Sequence, residues 1–367
     1  MPRIFYLASD LGPTGPAKLV SLLAPALPRD RYECAVGAVK GAGESFAEGL
    51  RKADIRVDTF PLRHPADWNG LRTLRTAVAA FRPDVIHALG PVATLLARWL
   101  LLPWRGAGAG AKLVVSAVDR SPGGCSGWLT SHAARAADRI VAASVTEAAR
   151  YAGFGIDPVR VVLIPPAVAT PYETDGAAFR RSLDIPPDGR LILAAGRFDA
   201  AAGLKTAVWA FDVVKYAAPN LYLVLVGDGP ERERLTRFGK ALGFDDYRVR
   251  FAGTRPDVPA LLTQAEIVWV THTHGGTNVA LEAMAAGKPV LAVRTPDLAE
   301  VVEDGVTGKL VAATDRVQLA AFTNEWLEHP EAARAFGAAG RARVADRFSV
   351  GTLAARHAAL YDGVLAT

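Results

Sequence analysis

The feature that most constrains the fold is an alternation, run through twice along the chain, of short β-branched or aromatic stretches with longer helical patterns. The first series opens with Ile4-Phe5-Tyr6-Leu7, then Lys18 to Ala26, Tyr32 to Ala38 and Ser45 to Ala53. It continues through Asp84-Val85-Ile86-His87, Lys112-Leu113-Val114-Val115, Arg139-Ile140-Val141-Ala142 and Val161-Val162-Leu163-Ile164. Strands that alternate with helices make βαβ units and a parallel sheet covered on both faces. Residues 165–176, PPAVATPYETDG, break both periods and read as a linker. A second series follows, at Leu191 to Ala195, Leu221 to Val226, Val249 to Ala252, Ile267 to Val270 and Pro289 to Val293, before a helical tail. The expected fold is α/β: two Rossmann-like doubly wound domains facing a cleft. They are assigned to 1–168 and 169–345, with a C-terminal helix over 346–367 packing back toward the N-terminal domain.

Composition narrows the function classes. A chain of 367 residues, 50% hydrophobic and 22% charged, is an ordinary globular protein with room for two or three cores. No apolar run reaches the roughly 18 residues of a membrane span; the stretch from Val92 to Trp104 is interrupted by Arg98 and Pro103. The opening MPRIFYLASD lacks the pattern of a secretory signal, so a cytoplasmic location is expected. Cys34 and Cys125 make neither a disulfide framework nor a zinc set. The net charge of +5 comes from scattered Arg and Lys, without the basic runs of a nucleic-acid arm, so no nucleic-acid partner is expected. A mild positive field suits phosphate-bearing substrates and peripheral contact with an anionic membrane surface.

Glycine loops mark the candidate site. After the first strand, Gly12, Thr14 and Gly15 precede a helix, whose N-terminus favours an anion. Gly227-Asp228-Gly229-Pro230 also follows a strand, but the dinucleotide fingerprint is incomplete there, and no Walker-type phosphate loop occurs. Arg197, directly after the strand ending in Gly196, carries a planar fork suited to a diphosphate. Farther on, Gly275, Gly276, Thr277 and Asn278 lead into a helix whose start can hold phosphates. Glu282, about one turn inside, can accept from two ribose hydroxyls. Each feature alone also has a plain reading as a tight turn, an ion pair or a surface glutamate.

Taken together, nearly the whole chain resembles the family-4 glycosyltransferases, retaining enzymes with the GT-B fold, most strongly from Gly196 to Gly308. VGDGPERERL, FAGTRPDVPALLTQAEIVW, LEAMAAGKPVLA and VVEDGVTGKLV carry the likeness, with FRPDVIHALGP, ADRIVAAS and IPPAV in the first half. The resemblance implies that Arg197 contacts the donor diphosphate, that Glu282 is the second glutamate of an E-x7-E motif holding the ribose, and that the Gly15 loop lies beside the phosphates. It implies a nucleoside-diphosphate sugar as donor, an acceptor that is a glycan, lipid or small molecule, and no cofactor or metal, so the His272-x-His274 pair reads as fortuitous.

Three positions depart from the pattern. The first glutamate of E-x7-E is replaced by His274, the lysine before Gly203 by Ala202, and a histidine near the donor sugar by Val118. Lys205, three residues after Ala202, is the candidate substitute for the missing phosphate contact, and His274 a candidate donor to sugar or phosphate. An active transferase using Arg197, His274 and Lys205 is therefore weighed against a catalytically impaired nucleotide-sugar-binding protein. An epimerase or phosphorylase of the same fold is the third reading.

Overall fold

The computed structural model describes residues 1–12, 14–39, 45–62, 67–101, 110–116, 130, 132–171, 175–242, 248–255 and 257–366; Val118 and Cys125 lie outside them. The chain forms two compact units, one made of Met1–Ala167 and the terminal helix, the other of Val168–Ser349.

The first unit is built on strands β1 (Arg3–Ala8), β2 (Glu33–Ala38), β3 (Arg56–Thr59), β4 (Val85–Leu89), β5 (Lys112–Ser116), β6 (Arg139–Ala142) and β7 (Val161–Leu163). They lie in the order β3-β2-β1-β4-β5-β6-β7, with every pairing parallel. Both faces are covered, which is why β1 reads as a continuous apolar run. Ile4, Tyr6 and Ala8 join one core with the helix Gly15–Ala26, while Phe5 and Leu7 join the opposite one with Leu74, Val78 and Ala97.

The terminal helix Val350–Leu365 completes the first of these cores through Leu353, Tyr361 and Val364. A polar network runs through that packing. His87 on β4 is fully buried, with Nδ1 2.7 Å from the Tyr361 hydroxyl and Nε2 2.7 Å from Ser116 Oγ. Tyr361 also meets the Tyr6 hydroxyl at 3.2 Å, and Asp362 accepts from Tyr32 at 2.5 Å and Arg31 at 2.7 Å. A buried polar group without such partners would cost about 1–3 kcal/mol, so the network fixes where this helix can dock.

The second unit holds β8 (Arg190–Ala195), β9 (Leu221–Val226), β10 (Val249–Gly253), β11 (Ile267–Val270), β12 (Val290–Val293) and β13 (Lys309–Val311). The order is β10-β9-β8-β11-β12-β13, again all parallel. Leu191, Leu193, Val268 and Val270 face one core with the helix Thr277–Ala285. Ile192, Ala194 and Trp269 face the other, with the helices Leu204–Val214 and Arg316–Glu328.

The sequence reading differs from the structure at edges. β3 and β13 were not anticipated, because each is short and lies at a sheet margin; β3 is only partly buried and shows no apolar run. The boundary expected at 345 cuts a helix, Pro330–Arg347, that ends only where Phe348 leaves helical geometry; the terminal helix starts at Val350. The linker is shorter than 165–176, since Asp175 caps a helix that begins at Gly176, its side chain accepting from Ala178 N at 2.9 Å.

Candidate active site

In the second unit the chain steps from β8 to β9 and β10 on one side, then returns to place β11, β12 and β13 on the other. The carboxyl ends of β8 and β11 therefore flank a topological switch point, where open α/β sheets bind ligands. Arg197 follows β8, and His272 to Asn278 follow β11.

The loops at this end are tied into one floor. Gly196 N donates to Val226 O, Phe198 N to Asp228 O and Glu231 N to Phe198 O, joining the β8 loop to Gly227-Asp228-Gly229. On the other side Thr271 Oγ1 donates to Ala202 O at 2.8 Å and Thr273 N to Ala201 O at 2.8 Å. Gly203 is required here: its φ of +64° is left-handed, and a Cβ would collide with the Thr271 carbonyl. Asp199 closes the short turn Ala200–Ala202 by accepting from Ala201 N and Ala202 N.

His272 is a site residue that the sequence reading set aside. Its ring fills the gap between the two loops: a Cβ at Gly196 would lie 2.6 Å from His272 Nε2, and one at Gly276 2.8 Å from His272 Cγ. One imidazole thus spaces the Gly196-Arg197 turn from the start of the helix Thr277–Ala285. Its Nδ1 is buried without a partner among the described residues, and burial holds its pKa below the ordinary imidazole value against the opposing Asp199 carboxylate. Glycine on each neighbouring loop was the available signal for this close packing.

Arg197 is exposed, and its guanidinium has no hydrogen bond or ion pair among the described residues. Gly275 and Gly276 are left-handed, at φ +75° and +82°, and Gly276 caps the helix without any side-chain hydrogen bond. Amides at the helix start are thus not capped by a side chain, the arrangement that receives an anion. Thr277 and Asn278 form the first turn, and Glu282 is 8% exposed on the buried side of the same helix. His274 is exposed, with Nδ1 3.3 Å from Thr273 Oγ1.

Ala202 is 1% exposed, with its methyl packed inward, so the position of the missing lysine is closed over by apolar contacts. Lys205 does not stand in for it in this arrangement. Its ammonium lies 5.0 Å over the Phe238 ring and 5.9 Å from the Trp209 ring, because the helix Leu204–Val214 turns that residue toward the neighbouring helix Arg232–Ala241.

The first unit has its own switch point, between β1 and β4. Two helices start there, Gly15–Ala26 capped by Thr14 and Pro91–Leu100 preceded by Gly90. Asp10 Oδ1 accepts from Gly12 N at 3.1 Å and from Thr14 Oγ1 at 3.3 Å, so the Gly12 loop is shaped from within. The space beside Gly15 is open. Among the described residues no cluster of His, Cys, Asp and Glu could hold a metal ion, and no helix is long and apolar enough to cross a membrane.

Comparison with known proteins agrees with this geometry. Residues 175–343 match the family model for glycosyl transferases group 1, and residues 14–167 match that for a glycosyl transferase 4-like domain. A D-inositol 3-phosphate glycosyltransferase of Acidothermus cellulolyticus is 33% identical over 208 residues, 53% of this chain and 46% of that protein. The lipopolysaccharide core biosynthesis glycosyltransferase LpsD of Rhizobium meliloti is 31% identical over 184 residues, 50% of this chain and 52% of its own. The chain spans about half the length of these curated relatives. Among solved structures, Anabaena HepE in complex with UDP and glucose superposes with a TM-score of 0.84 at 22% identity, covering 99% of this chain and 100% of that one. WaaG, a glycosyltransferase involved in lipopolysaccharide biosynthesis, gives 0.72 at 16% identity, with 97% and 99% covered. With both family models matched in succession over residues 14–343, and these neighbours superposing over nearly the whole chain, the chain belongs to the group 1 glycosyltransferases of the GT-B fold.

Proposed function

We propose that this chain transfers a sugar from a nucleoside-diphosphate sugar to an acceptor hydroxyl, with retention of anomeric configuration. The observation that carries the reading is the switch-point floor of the second unit, where the Gly196-Arg197 turn, with its uncommitted guanidinium, and the start of the helix Thr277–Ala285 pack against one imidazole. In transfer, the bond between the anomeric carbon and the β-phosphate oxygen breaks and its electron pair stays on that oxygen. The acceptor oxygen forms the new bond on the same face of the sugar and releases its proton to the departing phosphate. Negative charge grows on the diphosphate, which is where a guanidinium and helix-start amides help most. Glu282 is assigned to the ribose hydroxyls and His274 to the sugar side of the donor.

The donor class is supported by HepE, whose structures hold UDP with glucose or UDP-glucose. The acceptor is a glycan, lipid or small molecule, and the curated relatives act in lipopolysaccharide core and inositol-phosphate chemistry by name. A cytoplasmic enzyme in peripheral contact with the inner membrane face would suit a lipid-linked acceptor, and the net charge of +5 supports that placement. No metal has a part in the proposed step, so a chelator should leave the rate unchanged.

A binding screen with nucleoside diphosphates and their sugars, followed by mass spectrometry of products, tests the reading. Binding with sugar transfer supports it. A second reading, a nucleotide-sugar-binding protein without turnover, is favoured by the closed Ala202 position and by His274 in place of a carboxylate. Binding with no transfer across lipid, glycan and small-molecule acceptors would select it.

A further inference from the structure

At the opposite end of the second sheet lies an open cavity of about 680 Å³ that the donor site does not use. Lys288 projects from the turn that leads from the helix Thr277–Ala285 into β12, at the amino end of that strand. Arg341 reaches the same cavity from the helix Pro330–Arg347, and Thr170, Gln264 and Ser349 line it with polar groups. The lining includes the residues at which the chain enters and leaves this unit, joined by the bridge Val168 to Ser349.

The cavity is held by close helix packing. Gly337 rests directly on the Gly287 carbonyl and Gly340 on the Met284 side chain, so the helix carrying Arg341 approaches the end of the helix Thr277–Ala285 closely. Arg341 Nε and Nη2 donate to Ala285 O and Ala286 O, both at 3.2 Å, which fixes the guanidinium over that helix end. The Lys288 ammonium has no hydrogen bond or ion pair among the described residues. The carboxylate whose charge acts on it, Glu266, is bound instead in two hydrogen bonds by Arg190. Burial and the Arg341 charge together hold Lys288 below the ordinary lysine range.

Two cations therefore share a concave, partly desolvated site whose described lining contains no acid. The bland alternative is that both merely complement the carboxyl end of the helix. That accounts for Arg341, which bonds its carbonyls, but not for an ammonium left without an acceptor where it is partly out of water. A bare phosphate would occupy only a fraction of a cavity whose size matches small-molecule sites in general. We propose that this cavity binds a small phosphate monoester, its phosphate held between Lys288 and Arg341 and its remaining hydroxyls met by Thr170, Gln264 and Ser349. The site is separate from the switch-point floor and does not depend on the donor assignment.

Calorimetric titration of the full chain with inorganic phosphate and with a hexose monophosphate tests this, in the wild type, Lys288→Gln and Arg197→Ala. The expected result is one ester bound per chain, more tightly than inorganic phosphate, weakened at least about tenfold by Lys288→Gln and unchanged by Arg197→Ala. Equal binding in the wild type and Lys288→Gln would overturn the site, as would binding lost only in Arg197→Ala or no binding at all. Equal affinity for the two probes would overturn the assignment to an ester. As a readout free of mutation, the resonance of dimethylated Lys288 should titrate at lower pH than the other lysines and move up on adding the ester; an unmoved resonance would contradict the proposal.

Discussion

At the residue scale, the departures from the family pattern do not all weigh alike. Arg197 keeps its exposure and has no competing partner, so Arg197→Ala should weaken nucleoside-diphosphate binding by roughly 10- to 100-fold, the range of a hydrogen bond to a charged group, read by calorimetry. Lys205 gives the contrasting result. With its ammonium over Phe238 and Trp209, Lys205→Ala should leave donor affinity within about twofold and cost about 0.5–1 kcal/mol of stability. A large loss of affinity in that variant would restore the substitute role read from its spacing. His272 shows what spacing alone could not convey. The two nearby histidines read as a fortuitous pair, and the structure gives them different places: His272 is a half-buried spacer between the loops and His274 an exposed loop residue. Gly276→Ala should therefore be harmful twice over, by a left-handed φ of +82° and by contact with His272. A loss of about 1–3 kcal/mol in the stability of the second unit is expected from the backbone alone.

At the element scale, the terminal helix Val350–Leu365 is held by groups that titrate. Burial pushes His357 down to about 4, and the His87 ring, fully buried and facing it at 5.8 Å between centroids, is held well below its ordinary value by burial and by that neighbour. An unfolded histidine takes its proton near pH 6.5, so between there and pH 4 the unfolded state binds more protons than the folded one. The stability of the first unit is thus complete above about pH 6.5 and falls as the pH drops toward 4, by on the order of 3 kcal/mol for His357 alone. Hydrogen exchange along the helix should speed up over that window, and His357→Leu should flatten the response; exchange independent of pH in the wild type, after correction for the intrinsic rate, would contradict this. None of this was readable from the chain. The alternation of apolar runs announces β1, β4 and β8 because both their faces are buried, but His87 sits inside such a run and its partners are 29 and 274 residues away.

At the scale of the whole molecule, the fold was largely legible and its seams were not. Two series of strands and helices implied two doubly wound sheets, and both are present with their reversals at β1/β4 and β8/β11. What periodicity missed were margins: two short edge strands, and a helix that runs two residues past the expected boundary at 345. The terminal helix belongs to the first unit although it follows the second in sequence. Ending the chain at Ser349 would strip Leu353, Tyr361 and Val364 from the first core and leave His87 short of one buried partner. Such a chain should show early loss of the first unit on heating while the second unit, with its own two cores, still unfolds cooperatively; an unchanged first transition would contradict the assignment.

The most direct test of the central claim is calorimetry with UDP-glucose on the wild type, Arg197→Ala and Glu282→Ala, with the anomeric configuration of any product read by NMR. Binding that both substitutions weaken at least about tenfold, together with a product of retained configuration, is the expected result. Binding indifferent to both substitutions, or no binding of any nucleoside diphosphate in a wider panel, would contradict the placement of the donor at the β8/β11 switch point.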